Sequence, residues 1–400
     1  MRILTINSGS SSLKAALYAM SSAEQRLLSF QVDAIGQPNS RVTIETGADE
    51  VSAVKSAASE STRVDHDAAL QLLFDALTGR QLSFDAVGHR IVYGGPDYRE
   101  PAQLDAAMRS TLQTFAARDP QHMPQALHAV DVIATQFPAM PQVACFDTAF
   151  HHAMPDVARK FALPQHYFEA GIRRYGFHGL SYEYIVGELQ KFAGRAAARV
   201  IVAHLGSGSS MAAILDGKSI DTSMGFTPES GLVMSKRAGD IDAAVVLHLI
   251  EEGMTPQSVR RLLGSQSGLL GISDSSGDMR QLLAAEGADS RARAAVAMYC
   301  YAARKYLGAY VAALGGLDTL VFTGGIGERA SQVRERICER LQCFGIQLDA
   351  ARNRQHAAVI SSDDSHVTVR VMQTDEGLMV ARHTARIAQQ GMATGMPLKS

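Results

Sequence analysis

The sequence is poor in the features that mark whole classes of proteins. It carries four cysteines, Cys145, Cys300, Cys338 and Cys343, with no CxxC pair among them. That argues against a disulfide scaffold and a thiolate zinc centre, and makes reduced, mostly buried thiols in a cytoplasmic protein the expectation. Cys338 and Cys343 fall on one expected helix. Neither sign of charge dominates: the formal net charge is −2 over 400 residues, so no bulk attraction to nucleic acid or anionic membrane is expected. No apolar run reaches the length that spans a bilayer, and residue 1 leads straight into a strand without a signal-peptide layout. The expected partners are small molecules rather than nucleic acid or membrane.

What is present is apolar content and glycine-serine turns. Hydrophobic residues make up 46% of the chain, enough for full cores, and the length predicts two or three domains. Residues 3–17 read I-L-T-I-N-S-G-S-S-S-L-K-A-A-L: a strand, a tight turn from Ser8 to Ser12, and a second strand. Such a turn can present N–H groups and hydroxyls to phosphate oxygens, with Lys14 to neutralise them and Asn7 to reach Mg²⁺. Turn chemistry alone favours a solvated hairpin with a solubilising lysine. The pattern returns at 200–215, V-I-V-A-H-L-G-S-G-S-S-M-A-A-I-L, and a third strand runs into glycines at 319–328. Matching hairpins half a chain apart imply a duplicated domain gripping phosphate in a cleft. Neither turn is a P-loop, since Leu13 replaces the glycine that precedes its lysine, and neither is a dinucleotide fingerprint.

Further along, 47–62 reads as a surface segment and Asp65 as the cap of a helix stopping near Gly79. A strand over 84–93 breaks at Gly94-Gly95, which puts Arg90 near a sheet edge, as a surface ion-pair partner or an anion clamp. Residues 104–117 are helical and 119–124 form a bend, with Pro124 starting a helix. A short strand over 142–146 delivers Asp147 to its end, a catalytic or metal position in α/β sheets, or a helix cap. His178, within G-I-R-R-Y-G-F-H-G, is a candidate site histidine or a satisfied core histidine. Residues 221–242 form a long ordered loop carrying Arg237, and 267–280 form another Gly/Ser loop. A helix over 291–314 has an apolar stripe through Ala295, Met298, Tyr299, Ala302, Tyr306, Tyr310 and Leu314. A helix over 330–344, a strand over 367–372, a terminal helix over 378–390 and ten frayed residues complete the reading.

Taken in order, N-S-G-S-S-S-L-K from Asn7, G-H-R-I-V-Y-G-G from Gly88, F-D-T-A-F-H from Phe146, R-R-Y-G-F-H-G from Arg173, H-L-G-S-G-S-S from His204, D-T-S-M-G-F-T-P from Asp221, R-A-G-D-I-D from Arg237, G-G-I-G-E from Gly324 and T-D-E from Thr374 span nearly the whole chain. On these motifs the chain resembles the acetokinase family of short-chain carboxylate kinases. The resemblance implies an α/β fold of two duplicated actin-like (ribonuclease H-like) domains with a nucleotide cleft between them. The domains would be 1–148 with 378–400, and 149–377, the second carrying the nucleotide site and a homodimer surface. It implies reversible in-line phosphoryl transfer from ATP to acetate, giving acetyl phosphate and ADP, with Mg²⁺ or Mn²⁺.

Residue by residue, the resemblance puts Mg²⁺ on Asn7 and Glu376, phosphates on Ser12 and Lys14, and the substrate carboxylate on Arg90. Val92, Gln121 and Phe177 would surround the acyl group. Arg237 would stabilise charge on the transferring phosphoryl, His178 would steady the transition state, and Asp147 is the essential carboxylate. The ATP site would be lined by His204, Leu205, Gly206, Ser207 and Gly208, by Asp278, Met279 and Arg280, and by Gly325, Ile326, Gly327, Glu328 and Arg329. A carboxylate substrate is already nucleophilic at pH 7, so Asp147 is read as an organiser of Mg²⁺ and substrate rather than a base.

The chain departs from the family pattern at several points. Ser207 replaces Asn in the HLGNG turn, Tyr93 replaces a His, and Gly377 replaces the second Glu of TNEE. Gln121, where an apolar residue is usual, bears on acyl preference; Arg329, where Asn is usual, bears on the phosphoryl donor. Phosphorylation of propionate, or of acetate from pyrophosphate, are close alternatives. An actin- or chaperone-type ATP-binding module is the alternative of another class, and Arg90, Arg237 and the GFHG segment argue against it.

Overall fold

Alternating and β-branched runs build two sheets, one in each of two compact units: Met1–Ala149 with Asp375–Ser400, and Phe150–Thr374. The computed structural model describes residues 1–47, 63–116, 123–192 and 198–393. The surface segment expected after Gly47, the 119–122 part of the expected bend with Gln121, and the last seven of the ten residues expected to fray lie outside the described residues.

The first unit holds β1 (Arg2–Ser8), β2 (Ser12–Ala19), β3 (Gln25–Asp33), β4 (Arg41–Thr46), β5 (Ala86–Ile91), β6 (Ala102–Gln103) and β7 (Gln142–Phe146) in the order β4-β3-β2-β1-β5-β7-β6. β1 pairs antiparallel with β2 and parallel with β5, and β5 pairs parallel with β7. The second unit holds β8 (Arg199–Leu205), β9 (Ser209–Leu215), β10 (Lys218–Thr222), β11 (Thr319–Thr323) and β12 (Thr368–Val371) in the order β10-β9-β8-β11-β12. β8 pairs antiparallel with β9 and parallel with β11, which pairs parallel with β12. The run β3-β2-β1-β5-β7 therefore has the strand order and directions of β10-β9-β8-β11-β12. The repeat read from two Gly/Ser hairpins is a repeat of sheet topology.

Each sheet is central to its core. In the first unit Leu4, Ile6, Leu17, Phe30 and Val87 pack with Leu70, Leu73 and Leu77 of the helix His66–Thr78, whose N-cap is Asp65. On the other face, Ile3, Tyr18 and Ala86 meet Ala381, Ala385 and Ala388 of the helix Glu376–Ala393. In the second unit the helix Ser290–Leu314 buries Ala295, Tyr299, Ala303, Leu307 and Tyr310 against β8, β9 and β11, and closes on left-handed Gly315. Met298 of the expected stripe is instead 50% exposed. Among the described residues no helix is long and apolar enough to cross a membrane.

The structure corrects four expectations. Arg90 is not at a sheet edge: β5 lies between β1 and β7, and Arg90 is near the strand's C-terminal end. The segment 267–280 is not all loop, because Gly268–Ser273 is helical around the fully buried Leu269, and a helix Met279–Ala285 begins before it ends. The helix expected over 330–344 spans only Ser331–Cys338; a separate helix Gly324–Arg329 precedes it across Ala330, and Cys343 lies beyond it in a 3₁₀ turn. The terminal helix starts at Glu376 rather than 378, which places Asp375 to Gly377 in the first unit.

Gly88 shows how closely the terminal helix sits on β5. An ideal Cβ there would lie 2.2 Å from Thr384 Oγ1 and 2.6 Å from Val380 Cγ1. Gly88→Ala is expected to cost about 1–3 kcal/mol by overpacking, read as a lower urea midpoint. An unchanged midpoint would show that the helix accommodates the methyl freely.

Candidate functional site

In the first unit the site is a consequence of strand register. Ile6 pairs with His89, so Asn7 and Arg90 come next on neighbouring parallel strands, and Ile91 pairs with Phe146, so Asp147 follows at the same end. Carboxyl ends of parallel strands are where α/β sheets collect functional groups. The Arg90 guanidinium forks onto Asp147, with Nε to Oδ1 at 2.9 Å and Nη2 to Oδ2 at 2.7 Å. Its Nη1 donates to Glu376 Oε2 at 2.7 Å. Asp147 is 1% exposed. Burial works against the charge on Arg90, but the carboxylates of Asp147 and Glu376 outweigh it and raise the guanidinium pKa above its ordinary value.

Glu376 arrives as the first residue of the terminal helix, which packs on β1, β5 and β7. Asp375 caps that helix by accepting the Leu378 N–H at 2.8 Å, and Tyr18 Oη donates to the same oxygen at 3.0 Å. An ideal Cβ at Gly377 would lie 2.7 Å from Tyr18 Oη, so the glycine that departs from the family pattern leaves room for that tyrosine. Tyr93, another departure, is buried edge-on to Phe115 with ring centroids 5.3 Å apart. Val92 is half-buried just past β5.

Asn7 and Lys14 are cross-strand partners on the first hairpin. Its turn is closed by Gly9 N–H to Ser12 O at 2.9 Å, and His66 Nε2 meets Gly9 O at 2.8 Å. Ser10, Ser11 and Lys14 are exposed and Ser12 is half-buried. Asn7, Asp147 and Glu376 offer only oxygen, the donor type Mg²⁺ and Mn²⁺ prefer. Among the described residues no group of three or more His, Cys, Asp or Glu forms a metal cage. The donor set fits a Mg²⁺ that keeps few protein ligands.

In the second unit two histidines stack. His178 sits in a left-handed conformation (φ 58°, ψ 23°) at the start of the helix Gly179–Gln190, which is uncommon for a non-glycine residue and marks a constrained site. Its ring lies over that of His204, with centroids 4.3 Å apart and planes at 24°. Ser210 Oγ meets His178 Nδ1 at 2.8 Å and also bonds Tyr182 Oη; Ser181 Oγ meets His204 Nδ1 at 2.8 Å. An ideal Cβ on Gly208 would be 3.5 Å from His178 Nε2 and 3.7 Å from Arg237 Nη1, so both side chains converge on the Gly206–Gly208 turn.

The loop carrying Arg237 is held in several places. Ser235 N–H donates to Ser207 O at 3.2 Å, Gly231 N–H to Asp240 Oδ1 at 2.8 Å, and Arg237 Nη1 to Pro228 O at 3.2 Å. Gly277, one residue before Asp278, packs on the same loop: its Cβ would lie 2.7 Å from Ser235 O. Asp278 caps its helix through the Arg280 N–H and pairs with the exposed Arg280 side chain at 2.6 Å, which lowers the Asp278 pKa. Gly324 follows β11 directly against Leu205, and its N–H donates to Glu328 Oε1 at 3.1 Å. Burial raises the Glu328 pKa in spite of that bond. Gly325 and Arg329 are exposed, while Ile326 packs partly on the core.

Three expected contacts change character. Leu205, Met279 and Phe177 bury their side chains, so only their backbones are available to a ligand. The Phe177 carbonyl is itself engaged, by His151 Nε2 at 2.9 Å, and His151 Nδ1 meets Ser219 Oγ at 2.8 Å. A carbonyl only accepts, so Nε2 carries the proton and Nδ1 accepts from the serine. Sequence reasoning missed His151, Ser210, Tyr182 and His66. The first two stand inside quoted motifs, where the neighbouring Asp147 and the turn glycines drew the reading; nothing local marks Tyr182 or His66.

The solved structure of a propionate kinase from Francisella tularensis superposes with TM-score 0.88 at 34% identity, covering 96% of this chain and 99% of that one. The fold is thus the α/β fold of actin-like ATPases and phosphotransferases. An acetate kinase of Rhodopseudomonas palustris is 44% identical over 97% of this chain and 99% of its own length. A propionate kinase of Escherichia fergusonii is 40% identical over 97% of this chain and 96% of its own length. The Acetokinase family model matches residues 2–382, and the chain belongs to that family.

Burial lowers the His151 pKa from 6.5 to about 4. The unfolded chain then binds more protons than the folded one between those values, so this histidine's contribution is complete above pH 6.5 and is lost as pH falls toward 4. His151→Gln is expected to remove roughly one proton from the pH dependence of unfolding in that window. Urea melts at half-unit pH steps check this, and an unaltered slope would show that His151 titrates normally.

Proposed function

We propose that this chain transfers the γ-phosphoryl group of ATP to acetate, reversibly, giving acetyl phosphate and ADP. The observation that carries the reading is Arg90 at the carboxyl ends of three parallel strands, held between Asp147 and Glu376. A guanidinium there can bind a carboxylate, and Glu376, more exposed than Asp147, is the partner that can exchange for one. The substrate carboxylate needs no base, and both oxygens of Asp147 are engaged by Arg90, which fits an organising role.

In the second unit Arg237 and His178 converge on Gly208, the arrangement needed to neutralise charge on a phosphoryl in flight. The Ser12–Lys14 hairpin supplies phosphate contacts, and 204–208, 278–280 and 325–329 supply the nucleotide site. Asn7 and Glu376 would hold Mg²⁺, which when bound screens the phosphate oxygens. The two units are read as two actin-like domains. The second is read as the dimer-forming one, because its helix Ala243–Glu251 buries no residue and leaves Val245 42% and Leu247 60% exposed. The four free cysteines suit the cytoplasm.

Acyl phosphate trapped as the hydroxamate tests the reaction, with Mg-ATP or pyrophosphate against acetate and propionate. The expected strong pair is ATP with acetate. Product only with propionate would move the acceptor assignment, product only with pyrophosphate the donor, and no product with any pair would refute the kinase reading. Arg237→Ala should lower kcat by about 10³-fold, while Arg90→Ala should chiefly raise the acetate KM. Asp147→Asn should lose activity at every pH with partial recovery at high Mg²⁺; a mere shift of the pH profile would restore the base. Sedimentation of Leu247→Asp should return the 42.9 kDa single-chain mass, against twice that for the parent; an unchanged mass would place the interface elsewhere.

A further inference from the structure

Arg334, on the helix Ser331–Cys338, is 0% exposed and is the largest fully buried side chain among the described residues. Its Nε donates to Asn353 Oδ1 at 2.8 Å and Nη2 to Asn353 O at 2.8 Å, with His356 Nδ1 3.0 Å from the same nitrogen. Its Nη1 donates to Gly327 O at 2.8 Å and to Glu328 O at 2.9 Å. None of these acceptors is a carboxylate. Burying a cation without an anion is costly, and an apolar side chain of similar volume would pack more cheaply. Burial lowers its pKa only to about 10, so the charge persists at neutral pH.

The guanidinium does what an apolar group cannot. It satisfies two consecutive carbonyls at the end of the helix Gly324–Arg329, whose six residues leave carbonyls without helical partners. From the other side Asn353 Nδ2 donates to Ser331 O at 3.0 Å, which ties the start of the next helix to the same fork. The other end of the short helix is fixed at Gly324, where a Cβ would lie 2.7 Å from Leu205 O. The segment is therefore pinned to β8 at one end and to Arg334 at the other.

We infer that Arg334 is a positioning residue for nucleotide: its planar fork sets the pose of Gly325 to Arg329. This rests on the reading of that segment as part of the ATP site. A lysine keeps the charge but not the fork, so it cannot hold both carbonyls and Asn353 together.

The test compares Arg334→Lys and Arg334→Met with the parent. Calorimetric titration with Mg-ADP is combined with steady-state kinetics in which ATP and acetate are varied separately, and thermal melts confirm folding. Folded variants should bind ADP about tenfold more weakly, the scale of one lost charge-assisted hydrogen bond, with lysine recovering little. The ATP KM should rise in step, while the acetate KM and the kcat at saturating ATP hold steady. Unchanged ADP affinity in a folded variant would overturn the inference, as would equal changes in both KM values. So would failure of both variants to fold, which would make Arg334 a folding determinant. A folded parent that binds no ADP would instead refute the nucleotide reading beneath it.

Discussion

The structure of the first unit depends on one charge arrangement: a guanidinium held by two carboxylates where three parallel strands end. Each member is brought by a different piece of chain, Arg90 by β5, Asp147 by β7 and Glu376 by the terminal helix. Arg90 and Asp147 are nearly buried, so each needs its partner there: a lone desolvated ion would cost several kcal/mol. The cluster thereby fixes the helix against the sheet, and the close approach at Gly88 is the packing side of the same constraint. It also carries one more negative than positive charge.

The repeated sheet explains why Gly/Ser turns occur where they do. In each unit the first strand of the central parallel run is also the first arm of a hairpin, β1 with β2 and β8 with β9. The turn of that hairpin necessarily lies at the carboxyl end of the parallel strands, beside whatever side chains end them. In one unit the turn has Asn7 and Arg90 as neighbours, in the other His178 and Arg237. One topology used twice gives two carboxyl ends that carry different side-chain chemistry.

Much of this was legible because it is local. Strand alternation, the Asp65 cap and the hairpin turns depend on a few consecutive residues, and the quoted motifs fall on strand ends and loops that the sheets require. The rest depends on distant partners. Arg90 reads as an edge residue until β7, more than fifty positions later, supplies Asp147. Glycine-rich helices at Gly268–Ser273 and Gly324–Arg329 run against propensity and are stabilised by burial of Leu269 in one case and by Arg334 in the other. Arg334 itself has no local signature, since an arginine three residues into a helix ordinarily faces water. Gln121 remains a sequence-only candidate, since it lies outside the described residues.

The two histidines of the FHG and HLG motifs carry the last step. His178 and His204 are each tethered at Nδ1 by a serine, and their stacking fixes the remaining rotation. The left-handed backbone at His178 costs of order 1–3 kcal/mol. His151 offsets it by holding the preceding carbonyl, and being buried and neutral it does so independently of pH above about 5, one unit over its value of about 4. Orientation here is thus set by neutral hydrogen bonds, whereas in the first unit it is set by charge, with Arg90 held by the carboxylates of Asp147 and Glu376.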